Sequence, residues 1–328
     1  MKWLCALIVV FCFLQVEAQV LKRNFPVELK LEKTYPINEP CEIEEIRIKG
    51  DYFLCKDMAQ QKILVYTKDF KLVKTYGGKG KGPGEFIYIS AFDVTGDTLW
   101  GLDLGRKRLT AVVANKEVYA ENITGYLWYG SIFQGNVMYN VNEGLDDMFF
   151  YFRNRDGKIE KKWNVADLLD LKKKEGVTYI YSGNTCADDN YGIYYCIHAP
   201  YFFCFDENGL KYVKRSIIPI EAPEGKNIIT ENAQTVKLSH EYSLHYTGCI
   251  YNKELFLLTK VQIKGVDDKK FLNVDVYNIE DGGYKYSMKI PASVDSAFKA
   301  IGIAADKDSF YVYYENAEIY KFKKERKS

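Results

Sequence analysis

Three histidines, His198, His240 and His245, supply the only imidazoles of the chain. His240 and His245 stand five residues apart, which is not the spacing of a helical metal pair, and no His-Glu-x-x-His occurs. Turn or surface positions explain all three better than zinc, so neither a metal nor a cofactor is expected. A Gly-x-Ser-x-Gly elbow is also missing, which removes the nucleophile of one large hydrolase class. Acidic pairs at Asp146-Asp147, Asp188-Asp189 (followed by Asn190) and Asp267-Asp268 read first as turns; the second could offer oxygens to calcium but lacks the downstream bidentate glutamate. Arg106 and Arg108, beside Asp103, form the most suggestive charged group. With the three histidines they are the candidate ligand contacts.

A run of glycines and lysines, Tyr76 to Phe86 (YGGKGKGPGEF), invites a phosphate-cradling reading, because backbone amides lie beside cations. Its context opposes that reading. Lys79 and Lys81 are each followed by glycine, and the chain continues into the strand-like Phe86-Ile87-Tyr88-Ile89 instead of a helix. Four glycines and Pro83 suit a connection that leaves the edge of one sheet and enters the centre of the next.

The flanking elements are strands. Ile46-Ile48, Tyr52 to Cys55, Ile63 to Tyr66 and Leu72 to Tyr76 are short runs joined by tight polar turns, and make one four-stranded unit. A second unit follows the glycine run, with turns at Thr95-Gly96-Asp97 and Lys116. A third spans Tyr129 to Trp163, with a hairpin turn at Asn154 to Lys158. Asn164 can cap a helical insertion that Lys172 to Lys174 and Gly176 would end. The fourth unit takes Tyr179 to Ser182, Gly192 to Ile197, Tyr201 to Phe205 and Leu210 to Val213. A long polar connection, 221 to 241, leads to the fifth, Leu244 to Lys289. The sixth supplies three strands only: Ile301 to Asp306, Asp308 to Tyr313 and Glu318 to Phe322. The missing strand is provided by Val27, Leu29 and Leu31, which alternate with Glu28, Lys30 and Glu32. Units recur every ~40 to 60 residues, as propeller repeats do. The chain therefore reads as an all-β, six-bladed β-propeller of four-stranded antiparallel blades, closed by an N-terminal strand that completes the last blade.

GKGKGPGEF, then Ala91-Phe92-Asp93-Val94, Gly96-Asp97-Thr98-Leu99-Trp100-Gly101-Leu102-Asp103 and Gly105-Arg106-Lys107-Arg108-Leu109, resembles the NHL-type repeat of six-bladed propellers. It is similar, more closely, to the TolB-like propellers exported by Gram-negative bacteria. The resemblance covers about residues 76 to 112. It implies that the aspartate and arginine of the motif brace neighbouring strands and blades.

Met1 to Leu14 is one lysine followed by an apolar run, and Val16-Glu17-Ala18 offers a cleavage site, so residues 1–18 are expected to be a signal peptide. Residues 19–328 would then form one propeller domain, periplasmic or extracellular, monomeric, with no later membrane span. Lys+Arg 45 against Asp+Glu 44 leaves no field for a nucleic-acid partner. Six cysteines remain after cleavage; one pair, Cys196 with Cys204, is the candidate disulfide, facing across a hairpin with His198-Ala199-Pro200 in its turn. Tyr191, Tyr194, Tyr195, Tyr201 and Phe202 could stack on sugar rings, although packing between blades explains them better. Asn122-Ile123-Thr124 matches a glycosylation acceptor, informative only in a eukaryotic secretory route. The functional expectation is an exported binding or scaffold propeller that recognises a protein or glycan of the cell envelope. The alternative is a lyase or hydrolase acting on a glycan or lactone at the central channel.

Overall fold

The computed structural model describes residues 22–37, 39, 41–155, 157–230, 234–261, 269–294 and 298–327. The expected signal peptide, residues 1–18, and Asp267-Asp268 lie outside them. Six antiparallel sheets form the blades of a propeller. Their innermost strands are Ile43–Lys49, Ile89–Thr95, Tyr126–Phe133, Gly183–Ala187, His245–Tyr251 and Phe298–Ala305. Each runs from the face where the chain arrives from the previous blade, here the connection face, to the opposite, turn face.

Ring closure follows the sequence arithmetic. Val27–Pro36 pairs antiparallel with Glu318–Arg326, from Val27 opposite Arg326 to Pro36 opposite Glu318, and so becomes the outermost strand of blade 6. The stretch before it reaches further. Arg23 lays its guanidinium on Asp275 of blade 5 at 2.8 and 3.0 Å, and the Ser287 amide donates to the Asn24 carbonyl at 2.7 Å.

Alternating strand patterns put one apolar face of each sheet against the next blade, so the core is divided into six slabs, one per inter-blade interface. The glycine run serves the slab between blades 1 and 2. Phe86 is fully buried there, and a Cβ on Gly101 would lie 2.5 Å from its ring. Gly84 has φ +77°, and a Cβ on it would meet the Asn115 carbonyl at 2.5 Å, so both the backbone angle and the close approach require glycine. The amides that a phosphate would need are used internally. Gly82 donates to the Glu85 carboxylate at 2.7 Å, and Gly80 to the Phe86 carbonyl at 3.0 Å.

Five local expectations are corrected. The inner strand of blade 4 is Gly183–Ala187, not 179 to 182; Val177–Ile180 is a helical turn. The helical insertion is two single turns, Val165–Leu168, capped by Asn164 as expected, and Val177–Ile180. Gly176, at φ +73°, starts the second turn instead of ending a helix. The long connection contains a hairpin, Gly225–Ile229 with Gln234–Leu238. It is tied to the insertion and to blade 3, since Asn227 donates to Glu175 at 2.7 Å and to Asp146 at 3.0 Å. Finally, the Cys196–Cys204 bridge does not form. Cys196 stands opposite Gly183 and Cys204 opposite Ile193, the two side chains enter different slabs, and both are free thiols.

Candidate functional site

All six innermost strands begin at the connection face, and there their first residues converge on the ring axis. Blade 1 contributes Glu44 and Glu45, with Lys56 from its second strand; blade 2 contributes Ser90 and blade 3 Tyr129. Blade 4 adds Asn184, Thr185 and Tyr195, blade 5 Tyr246 and Thr247, and blade 6 Ile301. Together they line a cavity of ≈ 200 Å³. No imidazole is among the lining residues.

The charges in this pit are matched against one another. Lys56 Nζ lies 2.9 Å from Glu44 and 3.5 Å from Glu45, and donates to the Ser90 carbonyl at 3.4 Å. Below it, Arg47 Nε holds Glu45 at 2.6 Å, while Nη1 donates to the Phe92 carbonyl at 2.7 Å and the guanidinium covers the Phe92 ring at 4.4 Å. Burial by itself would raise the Glu45 carboxyl; Arg47 and then Lys56 outweigh it and hold the group below its usual range. Burial likewise disfavours the Lys56 ammonium, yet Glu44 and Glu45 keep it charged and raise its pKa. Glu44 is the exposed member, with 42 % of its side chain open.

Tyrosines surround that carboxylate. Burial and then Glu44 push Tyr88 up to about 12, and the same two causes raise Tyr129. Tyr246 rises through burial, Glu315 and Glu44. Their hydroxyls stay protonated at neutral pH and can donate. Lys260 rests over the Tyr246 ring at 3.1 Å from the centroid, and the Asn184 amide donates to the Tyr246 carbonyl at 3.3 Å.

The pit is blind. Further along the axis the channel narrows to a void of ≈ 10 Å³ between Arg47, Cys186 and Cys249, room for about one water. Arg47 Nη2 is buried there without a partner. At the turn face Lys49 of blade 1 crosses the axis. It holds Asp93 of blade 2 and Asp189 of blade 4, each at 2.8 Å, and blades 1 and 4 are opposite members of the ring. Asp189 is thus a cation partner for lysine within its acidic pair, while Asp188 Oδ1 accepts the Asn190 and Tyr191 amides as a turn.

None of the five candidates taken from the sequence lines the pit. Arg106 braces the glycine connector: Nε meets the buried Asp103 at 2.7 Å and Nη2 reaches the Glu85 carbonyl, while Asp103 also accepts the Ile87 and Tyr88 amides. Arg108 pairs with Glu117 across the outer strands of blade 2 at 2.7 Å. His198 Nδ1 lies 3.1 Å from the Tyr242 carbonyl, and the His240 ring packs on Tyr242 at 4.8 Å. His245 is fully buried, its Nδ1–H donating to the Cys196 carbonyl at 2.8 Å, and burial lowers its pKa to about 4. The tyrosine series is largely packing: Tyr194, Tyr195 and Phe202 are buried, although Tyr195 also reaches the pit wall. Residue type alone did not disclose Glu44, Lys56, Tyr129, Asn184 and Tyr246. Their shared signal is positional, because all but Lys56 stand near the start of an innermost strand.

Comparison with known proteins agrees with this architecture. The model of a family described as a 6-bladed beta-propeller matches residues 29–110. Among solved structures, a protein of Bacteroides fragilis assigned as exported superposes with a TM-score of 0.54 at 14 % identity, over 92 % of this chain and 96 % of that one. A streptogramin B lyase superposes with a TM-score of 0.52 at 9 % identity, over 91 % of this chain and 98 % of that one. At such identities the likeness concerns the fold. No curated protein matches the chain.

Proposed function

We propose that residues 19–328 form an exported, monomeric binding propeller that holds a glycan of the cell envelope in the pit on its connection face. The observation that carries this reading is the lining: hydroxyls, an amide and aromatic rings from blades 2 to 5, with the charged groups of blade 1 paired among themselves. Such a surface offers donors and acceptors in fixed positions, its two carboxylates balanced by Lys56 and by Arg47 beneath the lining, which suits a neutral polyhydroxylated ring better than an ion. A volume of ≈ 200 Å³ fits one terminal sugar. Trp128, next to Tyr129 in the chain, is also exposed. Export is supported by the leading apolar segment and by the Bacteroides fragilis neighbour; among the described residues no helix is long and apolar enough to cross a membrane.

A second reading, a lyase or hydrolase at the same pit, has the convergence of Glu44, Glu45 and Lys56 in its favour. A glycan array with purified residues 19–328, followed by titration of the best binder, tests both. Tyr129→Phe and Asn184→Ala should each weaken binding about tenfold, the worth of one or two hydrogen bonds. Release of product from the bound glycan would select the enzyme. Equal binding by wild type and both variants, or no glycan bound while an envelope protein is captured, would overturn the glycan reading.

A further inference from the structure

A second cavity is on the turn face, away from the pit, and its chemistry is different. It is a groove of ≈ 690 Å³ between blades 5 and 6, where the two ends of the chain meet. The blade 5 turn at Tyr251 to Glu254 and the blade 6 turn at Lys307-Asp308 form its sides, and Lys324 to Lys327 with Pro26-Val27 close it. Five cationic side chains line it (Lys285, Lys307, Lys324, Arg326 and Lys327) against two carboxylates, Glu254 and Asp308. The whole chain has a formal charge of only +1, so this is a local concentration of positive charge and not a consequence of composition.

Most of that charge is uncommitted. Glu254 is already taken by Lys285 and by the Tyr286 hydroxyl. Lys324 turns its ammonium to the Asp306 carbonyl at 2.6 Å and lies over the Tyr251 and Phe256 rings. Among the described residues, Lys307, Arg326 and Lys327 make no salt bridge, and all three are exposed. The backbone beneath two of them is tied down by the closing strand pair. Arg326 stands opposite Val27 in the closing strand pair, and the Lys327 amide donates to the Pro26 carbonyl at 2.8 Å. Uncommitted cations around a cavity large enough for a ligand are an arrangement that recognises clustered phosphates.

We infer that this groove is a second ligand site, for a molecule carrying two or more phosphate groups. Lys307, Arg326 and Lys327 provide the charge, and Tyr251 and Tyr286 the floor. The phosphates could belong to a soluble phosphorylated compound or to a membrane headgroup; the chemistry of recognition is the same for both.

The test uses residues 19–328, titrated with inositol hexakisphosphate and, separately, co-sedimented with phosphatidylglycerol vesicles and with phosphatidylcholine vesicles. Binding of the soluble probe, or of the anionic vesicles only, supports the site and tells the two sources apart. Lys307→Ala/Arg326→Ala/Lys327→Ala should weaken whichever binding is seen by at least about tenfold and make it less dependent on salt. The control Lys71→Ala/Lys116→Ala/Lys172→Ala, with three exposed lysines elsewhere on the ring, should leave it unchanged. A thermal midpoint equal to wild type shows that the groove variant is folded. No binding of either probe, or equal loss in both triple variants, would overturn the inference.

Discussion

His245 shows how far a residue's chemistry is set by its surroundings. It is fully buried against the Cys196 carbonyl, and its second nitrogen has no partner, so the neutral ring is the form the fold accommodates. Its folded pKa, about 4, lies below that of a free histidine, so protonation favours the unfolded chain. The stability this group contributes is complete above about pH 6.5 and is lost as pH falls toward 4. At pH 5 the loss should be about 2 kcal/mol relative to pH 7.5. Urea unfolding at the two pH values measures it, and His245→Gln should flatten that difference. An unchanged difference in the variant would assign the acid sensitivity to other groups. Arg47 and Lys56 illustrate the converse case, buried cations kept charged by carboxylates at fixed distances. With Lys49 they also join two blades, since all three reach the inner strand of blade 2, at Phe92, Ser90 and Asp93.

At the scale of elements, the seam between the chain's ends is the point on which closure depends. Val27–Pro36 completes blade 6, and Arg23 places its charge on the buried Asp275 of blade 5. Removing residues 19–34 should lower the thermal midpoint by more than about 10 °C, because a sheet edge and an apolar slab are opened together. Arg23→Ala alone should cost about 3 kcal/mol, since it leaves Asp275 charged and buried; adding Asp275→Asn should restore part of that. A truncated protein as stable as the full one would contradict the closure.

This closure was legible in the sequence because blade 6 has three strands and Val27 to Leu31 alternates with period two. Blades 1, 2 and 6 were legible for the same reason, alternation punctuated by Gly-Asp and Lys-Asp turns, and blade 5 by its Asp281-Gly282-Gly283 turn. The inner strand of blade 4 was not: Gly-Asn-Thr-Cys-Ala has little β-propensity and owes its conformation to pairing with Gly192–Cys196. The hairpin at 225–238 was hidden because it is exposed and its residues show no apolar face. Asp103 and Arg106 were recognisable as a pair because their partners are close in sequence. The pit was not recognisable, because Glu44, Tyr129, Asn184 and Tyr246 come together only when the ring is complete.

For the whole molecule, the ring gives two unlike faces. The connection face carries a blind, hydroxyl-rich pit, sealed below by the Lys49 bridge, and the turn face carries a basic groove at the closing seam. Hydrogen–deuterium exchange of residues 19–328, with and without the best binder from the glycan array, examines the pit most directly. The added protection should concentrate at the starts of several innermost strands, near Glu44-Glu45, Ser90, Tyr129, Asn184-Thr185 and Tyr246-Thr247. Protection confined to the turn face, or to the outer strands of one blade, would contradict an axial site.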